Sequence, residues 1–214
     1  WRLPFAELLT SLGEPKGTNE KLIARALPDD PEWFKGGLYH DNEKWGVPAL
    51  WYNSWYDVSI GPNLALFNHA KKAGVDAETR DNQYAIVGPN VHCAYAGLGP
   101  NYKSGDRDLG ETTFDTSGQV WAFFDRFLKG ETGGALDTRA KVTYFTMGSN
   151  MWQTSNTWPP EGARPQTFFL SSGGRANTFD GDGVLTLSPP FTDKPDAFTY
   201  DPMNPVTSYG GNVC

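Results

Sequence analysis

Two side chains capable of acid–base chemistry follow two short apolar runs of the sequence. Asp57 comes just after the run at 47–53, and His92 just after the run at 84–87. In a parallel sheet, functional residues collect at the carboxyl ends of the strands, and consecutive strand–helix units usually lie side by side. The 35 residues between the two side chains correspond to one such unit. We therefore predict that the carboxyl group and the imidazole lie within hydrogen-bond reach.

A carboxylate beside an imidazole is two thirds of a catalytic triad. The imidazole removes the proton from a serine hydroxyl, and the carboxylate fixes the tautomer of the ring and stabilises the imidazolium. In α/β-hydrolases the triad follows the chain order Ser, then Asp, then His. No G-x-S-x-G motif occurs in the sequence, and Ser54 and Ser59, which flank the acid, lack the preceding glycine. The nucleophile is therefore expected upstream of Trp1.

Each member of the pair also has a plainer interpretation. Taken singly, Asp57 is a turn former or helix cap, and His92 is a surface or core residue.

No two His or Cys residues have the spacing of metal ligands, so neither a metal nor a cofactor is expected. Cys93 and Cys214 allow one disulfide at most, and two unpaired thiols are the favoured interpretation, with a bond between them left as an alternative.

Composition excludes several classes of function. The 214 residues carry a formal net charge of −7 without a run of Lys or Arg, which argues against nucleic-acid binding. No apolar run reaches the length of a membrane span. The sequence starts without a methionine and ends after a Gly-Gly pair, as expected of an excerpt from a longer protein. The compartment is left open among secreted, periplasmic and cytoplasmic.

The elements that must position Asp57 and His92 can be predicted from hydrophobic periodicity. Short strands at 47–53 and 84–87 alternate with amphipathic helices at 62–73 and 116–129, as on one edge of a parallel, doubly wound sheet. Residues 1–45 are predicted to be helical and loop-rich. From residue 141 the pattern is β only, with strands at 142–146, 167–170, 184–187 and 197–200, which indicates a sandwich or jelly roll. A domain boundary is expected between Gly130 and Pro165.

Several short motifs resemble the CocE/NonD-type serine hydrolases, a family of X-Pro dipeptidyl-peptidases, cocaine esterase, α-amino-acid ester hydrolases and glutaryl acylase-like enzymes. In order they are VPAL at 47–50, SWYD at 54–57, GPNVH at 88–92, FDRFLKG at 124–130, MGSNMW at 147–152, WPP at 158–160, FL at 169–170 and YDPMNPV at 200–206. The resemblance implies an α/β fold: a helical cap segment (1–45), the C-terminal part of an α/β-hydrolase domain (46–140) and the start of a β jelly roll (141–214). Two departures, Ser54 for Gly and Asn90 for Trp, alter the surroundings of the triad.

The family resemblance also implies site residues. It identifies Asp57 as the triad acid and His92 as the base. In the cap, Asp29 and Asp30 are candidates to bind a substrate α-amino group, although helix-start acids in solvent are the favoured interpretation. Trp55 and Tyr56 are candidates to line a pocket for an apolar acyl group.

The expected function is hydrolysis of an ester or amide bond by acyl transfer to serine and then to water. The partners implied are a small ester, amide or peptide substrate and the upstream part of the same protein, without nucleic acid or membrane; the oligomeric state is left open. The alternative is a carbohydrate- or protein-binding β-sandwich module, with Trp152 and Trp158 as an exposed stacking platform.

Overall fold

The structure is a computed structural model that describes residues 43–92, 94 and 97–204, together with residues 8, 11–13, 25, 27 and 30–36. The chain divides into two compact units. One comprises residues 1–33 and 163–207, and the other comprises residues 34–162 and 208–214. The division after Gly162 lies within the interval that the sequence predicts for a domain boundary.

The described elements follow one another along the chain as a mixture of helices and short strands. They are a 3-10 helix Pro31–Gly36, β1 Ala49–Tyr56, α1 Ile60–Ala73, α2 Ala77–Asp81, β2 Gln83–Val91, β3 Tyr102–Ser104, β4 Arg107–Gly110, α3 Thr116–Leu128, α4 Ala135–Thr138, β5 Val142–Thr146, β6 Met151–Ser155, β7 Phe169–Ser171 and β8 Val184–Thr186. The fold is therefore mixed α/β, as predicted.

A four-stranded sheet in the order β1-β2-β5-β6 forms the centre of the larger unit. β1, β2 and β5 are parallel, with Trp51 opposite Ala85 and Ala85 opposite Val142, whereas β6 runs antiparallel to β5. The helices α1 and α2 connect β1 to β2, so the predicted strand–helix–strand unit is present.

The sheet continues beyond residue 140, where the sequence places the start of the jelly roll. Val142 and Phe145 of β5 are fully buried, and the strand pairs in parallel with β2. An apolar run buried on both faces suits the middle of a parallel sheet better than the half-exposed wall of a sandwich. β5 and β6 therefore belong to the same sheet as Asp57 and His92.

Apolar clusters cover both faces of this sheet. On one face, Phe67 of α1 packs with Ala85 and Val142, and Trp51 and Trp158 pack against them. On the other face, Phe123 of α3 packs with Tyr84 of β2, Leu136 of α4 and Leu50 of β1. The strands are thus held between helices, which fixes where their carboxyl ends lie.

In the smaller unit the described residues form one antiparallel hairpin, β7–β8. The preceding prediction of a strand at 197–200 is wrong, because these residues form no strand and the side chains of Phe198 and Tyr200 are exposed. Three carboxylates accept hydrogen bonds from backbone amides of the loop after β7. The pairs of amide and carboxylate are Gly173 with Asp182, Ser172 with Asp193 and Ala176 with Asp196. Among the described residues, no helix is both long and apolar enough to cross a membrane.

Candidate active site

The acid lies in the turn that joins β1 to α1. The Asp57 amide donates to the carbonyl of Ser54 at 3.2 Å, and the Ile60 amide donates to the carbonyl of Asp57 at 3.3 Å, so the backbone turns sharply at this point. Only 4% of the Asp57 side chain is exposed. A carboxylate buried to this degree needs several hydrogen-bond donors around it.

His92 lies directly after β2. In the register of the two parallel strands, Tyr56 is opposite Val91, so the residues that follow, Asp57 and His92, are neighbours. Nδ1 of His92 lies 2.7 Å from Oδ2 of Asp57. Because a carboxylate only accepts, Nδ1 carries the proton and Nε2 is left as the acceptor. The imidazole is 39% exposed, so the ring can be reached by another group while its partner stays buried.

The second carboxylate oxygen of Asp57 is also engaged. Its Oδ1 accepts from the amide of Ser59 at 2.8 Å and from the hydroxyl of Ser59 at 2.6 Å. Asn63, one turn into α1, donates to the same hydroxyl at 3.1 Å and to Oδ1 of Asn53 at 2.7 Å. These contacts explain how the charge of the buried carboxylate is compensated.

These contacts depend on the turn after β1, so the spacing of apolar residues does not reveal Ser59, Asn63 and Asn53. The sequence offers a weak signal in the pair Ser59 and Asn63, four residues apart across the start of α1, a spacing at which side chains can meet. Neither serine near the acid is placed as a nucleophile: the Ser59 hydroxyl bonds the carboxylate, and the Ser54 side chain is fully buried.

Tyrosines surround the carboxyl ends of β1 and β2. The Tyr52 hydroxyl lies 3.1 Å from Oγ1 of Thr116. Burial raises the pKa of Tyr52 and that of Tyr102. Both phenols therefore stay neutral at neutral pH and add no charge to the site.

Trp55 and Tyr56, the candidates for an acyl pocket, are held by packing. The Trp55 indole N–H donates to the carbonyl of Phe145 at 2.6 Å, and its ring lies 5.7 Å from that of Trp158. The Tyr56 hydroxyl is buried and has no hydrogen-bond partner among the described residues. Both side chains are half-buried at the end of β1, directly before Asp57 in the chain.

Asn90, one of the two residues that depart from the pattern of the similar family, is completely buried in β2. Its Nδ2 donates to the carbonyl of Val91 at 3.2 Å, while its Oδ1 has no partner in the described part of the chain. A Cβ on Gly88 would overlap Oδ1 of Asn90, so the glycine provides the room that the asparagine occupies. Gly88 and Asn90 thus determine how side chains pack at the end of β2, directly before His92.

The remaining candidates lie elsewhere or are not described. Asp30 accepts from the amide of Glu32 at 2.9 Å at the start of the 3-10 helix, which agrees with a helix-start acid. Asp29, Cys93 and Cys214 lie outside the described residues, so neither interpretation of the two cysteines is tested. The described His, Cys, Asp and Glu side chains form no group of three that could hold a metal ion.

Trp152 and Trp158, the residues of the alternative stacking platform, are half-buried and pack against other aromatic rings. Trp152 donates to the carbonyl of Thr112 at 3.2 Å and stacks on Phe114 with the ring centroids 4.4 Å apart. Trp158 packs against Trp55 and Tyr144. Tryptophan rings commonly pack against other side chains in this way while the indole N–H finds a hydrogen-bond partner. Trp152 and Trp158 both lie in the unit that contains the four-stranded sheet.

Comparisons with known proteins point to one group of enzymes. Residues 5–94 match the model of the X-Pro dipeptidyl-peptidase (S15 family), and residues 134–213 match that of the X-Pro dipeptidyl-peptidase C-terminal non-catalytic domain. Cocaine esterase from Rhodococcus sp. (strain MB1 Bresler) is 35% identical over 231 residues, which cover 98% of this chain and 38% of that enzyme. The chain thus spans less than two fifths of the length of the curated relatives it matches.

Solved structures also resemble the chain. An aminopeptidase from a marine sediment Thaumarchaeota archaeon aligns with a TM-score of 0.40 and 17% sequence identity, over 81% of this chain and 33% of that one.

Proposed function

Since this chain belongs to the CocE/NonD-type family of esterases and X-Pro dipeptidyl-peptidases, we propose that it supplies the acid and the base of a serine hydrolase. The reaction is cleavage of an ester or amide bond by acyl transfer to a serine and then to water. The observation that carries the proposal is the 2.7 Å hydrogen bond between Oδ2 of Asp57 and Nδ1 of His92.

In the proposed reaction the two side chains have separate roles. Asp57 orients the imidazole and stabilises it once it is protonated, and its burial keeps water from competing for the carboxylate. His92 is the general base toward the serine and then the general acid toward the leaving group, through Nε2, the nitrogen opposite the one that Asp57 holds. Half-exposure of the ring supports this role, because Nε2 must meet a hydroxyl and a substrate.

We place the nucleophile in a segment upstream of Trp1. The sequence has no G-x-S-x-G motif. Of the two serines near Asp57, Ser59 donates its hydroxyl proton to the carboxylate, and Ser54 is fully buried. The chain order of Ser, Asp and His in α/β-hydrolases supports this placement. The oxyanion-hole donors belong to the same upstream segment, since one of them is the amide after the serine.

The substrate is a small ester, amide or peptide. Trp55 and Tyr56 border the acid from β1 and are proposed to line the acyl pocket, and Asp29 and Asp30 are proposed to bind an α-amino group. The names of the relatives support both substrate types: one acts on an ester, and the family model is named for X-Pro dipeptides.

We also propose a helical cap in residues 1–45 and a β jelly roll that begins in the C-terminal part of the chain. The match of residues 134–213 to a C-terminal non-catalytic domain supports the second assignment. The described hairpin β7–β8 is one pair of strands of such a domain.

A serine-directed fluorophosphonate tests the proposal, because it labels only a serine activated by its base. With the upstream segment present, we expect labelling of a serine in that segment, and we expect His92→Ala to abolish it. The His69→Ala variant, which removes a histidine that contacts the carbonyl of Glu43 at 3.0 Å, is the matched control and keeps full labelling. Labelling that persists in His92→Ala would contradict the proposal.

A further inference from the structure

The two oxygens of the Asp57 carboxylate contact different neighbours among the described residues. Oδ2 meets Nδ1 of His92 at 2.7 Å, and Oδ1 accepts from the amide and the hydroxyl of Ser59 at 2.8 and 2.6 Å. Hydrogen bonds to an ionised oxygen at these distances are among the strong ones in proteins. Rotation of the carboxylate toward or away from the imidazole would break the contacts with Ser59.

The Ser59 hydroxyl is not used in the way that its position predicts. Ser59 is the N-cap residue of α1, and an N-cap serine normally accepts a hydrogen bond from an amide in the first turn of its helix. Here its side chain makes no capping hydrogen bond. The hydroxyl donates to Asp57 instead. The helix therefore lacks this capping hydrogen bond, and the carboxylate has one more hydrogen-bond donor.

A second contact fixes the direction of this hydroxyl. Nδ2 of Asn63 donates to Oγ of Ser59 at 3.1 Å and to Oδ1 of Asn53 at 2.7 Å. Because Oγ accepts from Asn63, its own proton is directed at Asp57. These contacts connect Asn53 of β1, through Asn63 and Ser59, to Asp57. The bond that the Ser59 hydroxyl accepts from Asn63 strengthens the bond that it donates to Asp57.

We infer that Ser59 is a positioning residue that sets the orientation of Asp57 and, through it, of the His92 imidazole. This inference rests on the proposed function, since it concerns the same acid and base. Ser59 acts by keeping Oδ2 on Nδ1 of His92, which holds the proton on Nδ1 and leaves Nε2 free to accept one. The plainer alternative is that Asp57 and Ser59 only shape the turn, through the contact between Oδ1 and the Ser59 amide.

The test compares Ser59→Ala with Ser59→Thr and Ser54→Ala. Ser59→Ala removes the hydroxyl and keeps the amide, and Ser59→Thr restores a hydroxyl. Ser54→Ala is the matched control, because it makes the same change three residues before Asp57. The hydroxyl that it removes is buried and has no hydrogen-bond partner among the described residues. With the upstream segment present, we expect Ser59→Ala to lower kcat about tenfold with KM unchanged. Ser59→Thr recovers most of that loss, and Ser54→Ala matches the starting protein.

Proton NMR of the 214-residue chain gives a readout that does not need turnover. We expect the Nδ1 proton of His92 to give a downfield, exchange-protected signal that weakens or moves upfield in Ser59→Ala and stays in Ser54→Ala. Two results would overturn the inference: an unchanged signal and kcat in Ser59→Ala, or an equal loss in Ser59→Ala and Ser54→Ala. Failure of the proposed function has a different signature, in which His92→Ala leaves turnover unchanged.

Discussion

The acid and the base differ in how much water reaches them, and this difference decides what each can do. The buried carboxylate of Asp57 exchanges its hydration for hydrogen bonds to His92 and Ser59, so its position is fixed before any substrate arrives. The imidazole is half-exposed and keeps Nε2 for another group. Such preorganisation favours proton transfer, since no reorientation is needed during the reaction.

Replacing Asp57 by Asn tests the role of the carboxylate. The amide keeps the size of the side chain, but it can offer its NH₂ group to Nδ1 and so favour the wrong tautomer of His92. We expect kcat to fall by about 10⁴-fold with the upstream segment present, which is the loss seen in the protease triad for the same change. Steady-state kinetics measure it, and Asp106→Asn, at an exposed acid in the β3–β4 turn, is the control. A loss of less than tenfold would contradict the assigned role.

Sequence alone predicted this pair because both residues follow apolar runs, and parallel strands bring their carboxyl ends to one edge. It did not predict Ser59 and Asn63 as partners of the acid. Their role depends on the backbone of a four-residue turn, and a serine before a helix normally indicates a cap. Hydrophobic periodicity carries no information about such turns.

At the scale of the elements, β2 presents His92 only if its last residues pack without strain. Gly88 and Asn90 occupy adjacent space in this buried strand, and a Cβ at position 88 would overlap Oδ1 of Asn90. We expect Gly88→Ala to lower the free energy of unfolding by about 1–3 kcal/mol, the usual cost of overpacking a core. Urea denaturation measures this change. The double variant Gly88→Ala with Asn90→Ala removes the overlap, and it should be more stable than Gly88→Ala alone; an equally unstable double variant would show that the cause lies elsewhere.

The helix α3 covers one face of the sheet and begins at a capped residue. Oδ1 of Asp115 accepts from the amide of Gly118 at 2.8 Å. We expect Asp115→Ala to lower the free energy of unfolding by about 1 kcal/mol, because that amide loses its partner and the helix dipole loses a nearby negative charge. Ser117→Ala, an exposed change two residues into the same helix, should have no such effect. Equal midpoints in urea for Asp115→Ala and the starting protein would argue against the cap.

Segments with a clear apolar pattern were predicted well, including the short strands at 47–53, 84–87 and 184–187, which overlap β1, β2 and β8. The helices at 62–73 and 116–129 and the strand at 142–146 match α1, α3 and β5 closely. The hairpin β3–β4 and the strand β6 were missed, since their residues show no clear alternation. The false strand at 197–200 shows the opposite error, in which β-prone residues lie in a segment that forms no strand.

At the scale of the whole molecule, the larger unit has surfaces that suit further packing. β1 pairs with β2 along one edge, and the described residues provide no strand for its other edge. On α3, Trp121, Phe124 and Leu128 are exposed on one face of the helix. An unpaired strand edge and an apolar helix face are features that proteins normally cover. They support the proposal that an upstream segment of the same protein completes the sheet and the active site.

The most direct test of the account is hydrolysis of p-nitrophenyl esters and X-Pro-p-nitroanilides by the 214-residue chain, alone and with the upstream segment. Without a nucleophile the rate falls by several orders of magnitude, so we expect no turnover by the chain alone. Turnover should appear when the upstream segment is added, and His92→Ala should abolish it. Turnover by the purified chain alone that His92→Ala abolishes would mean that a serine within these residues is the nucleophile, which would contradict the account.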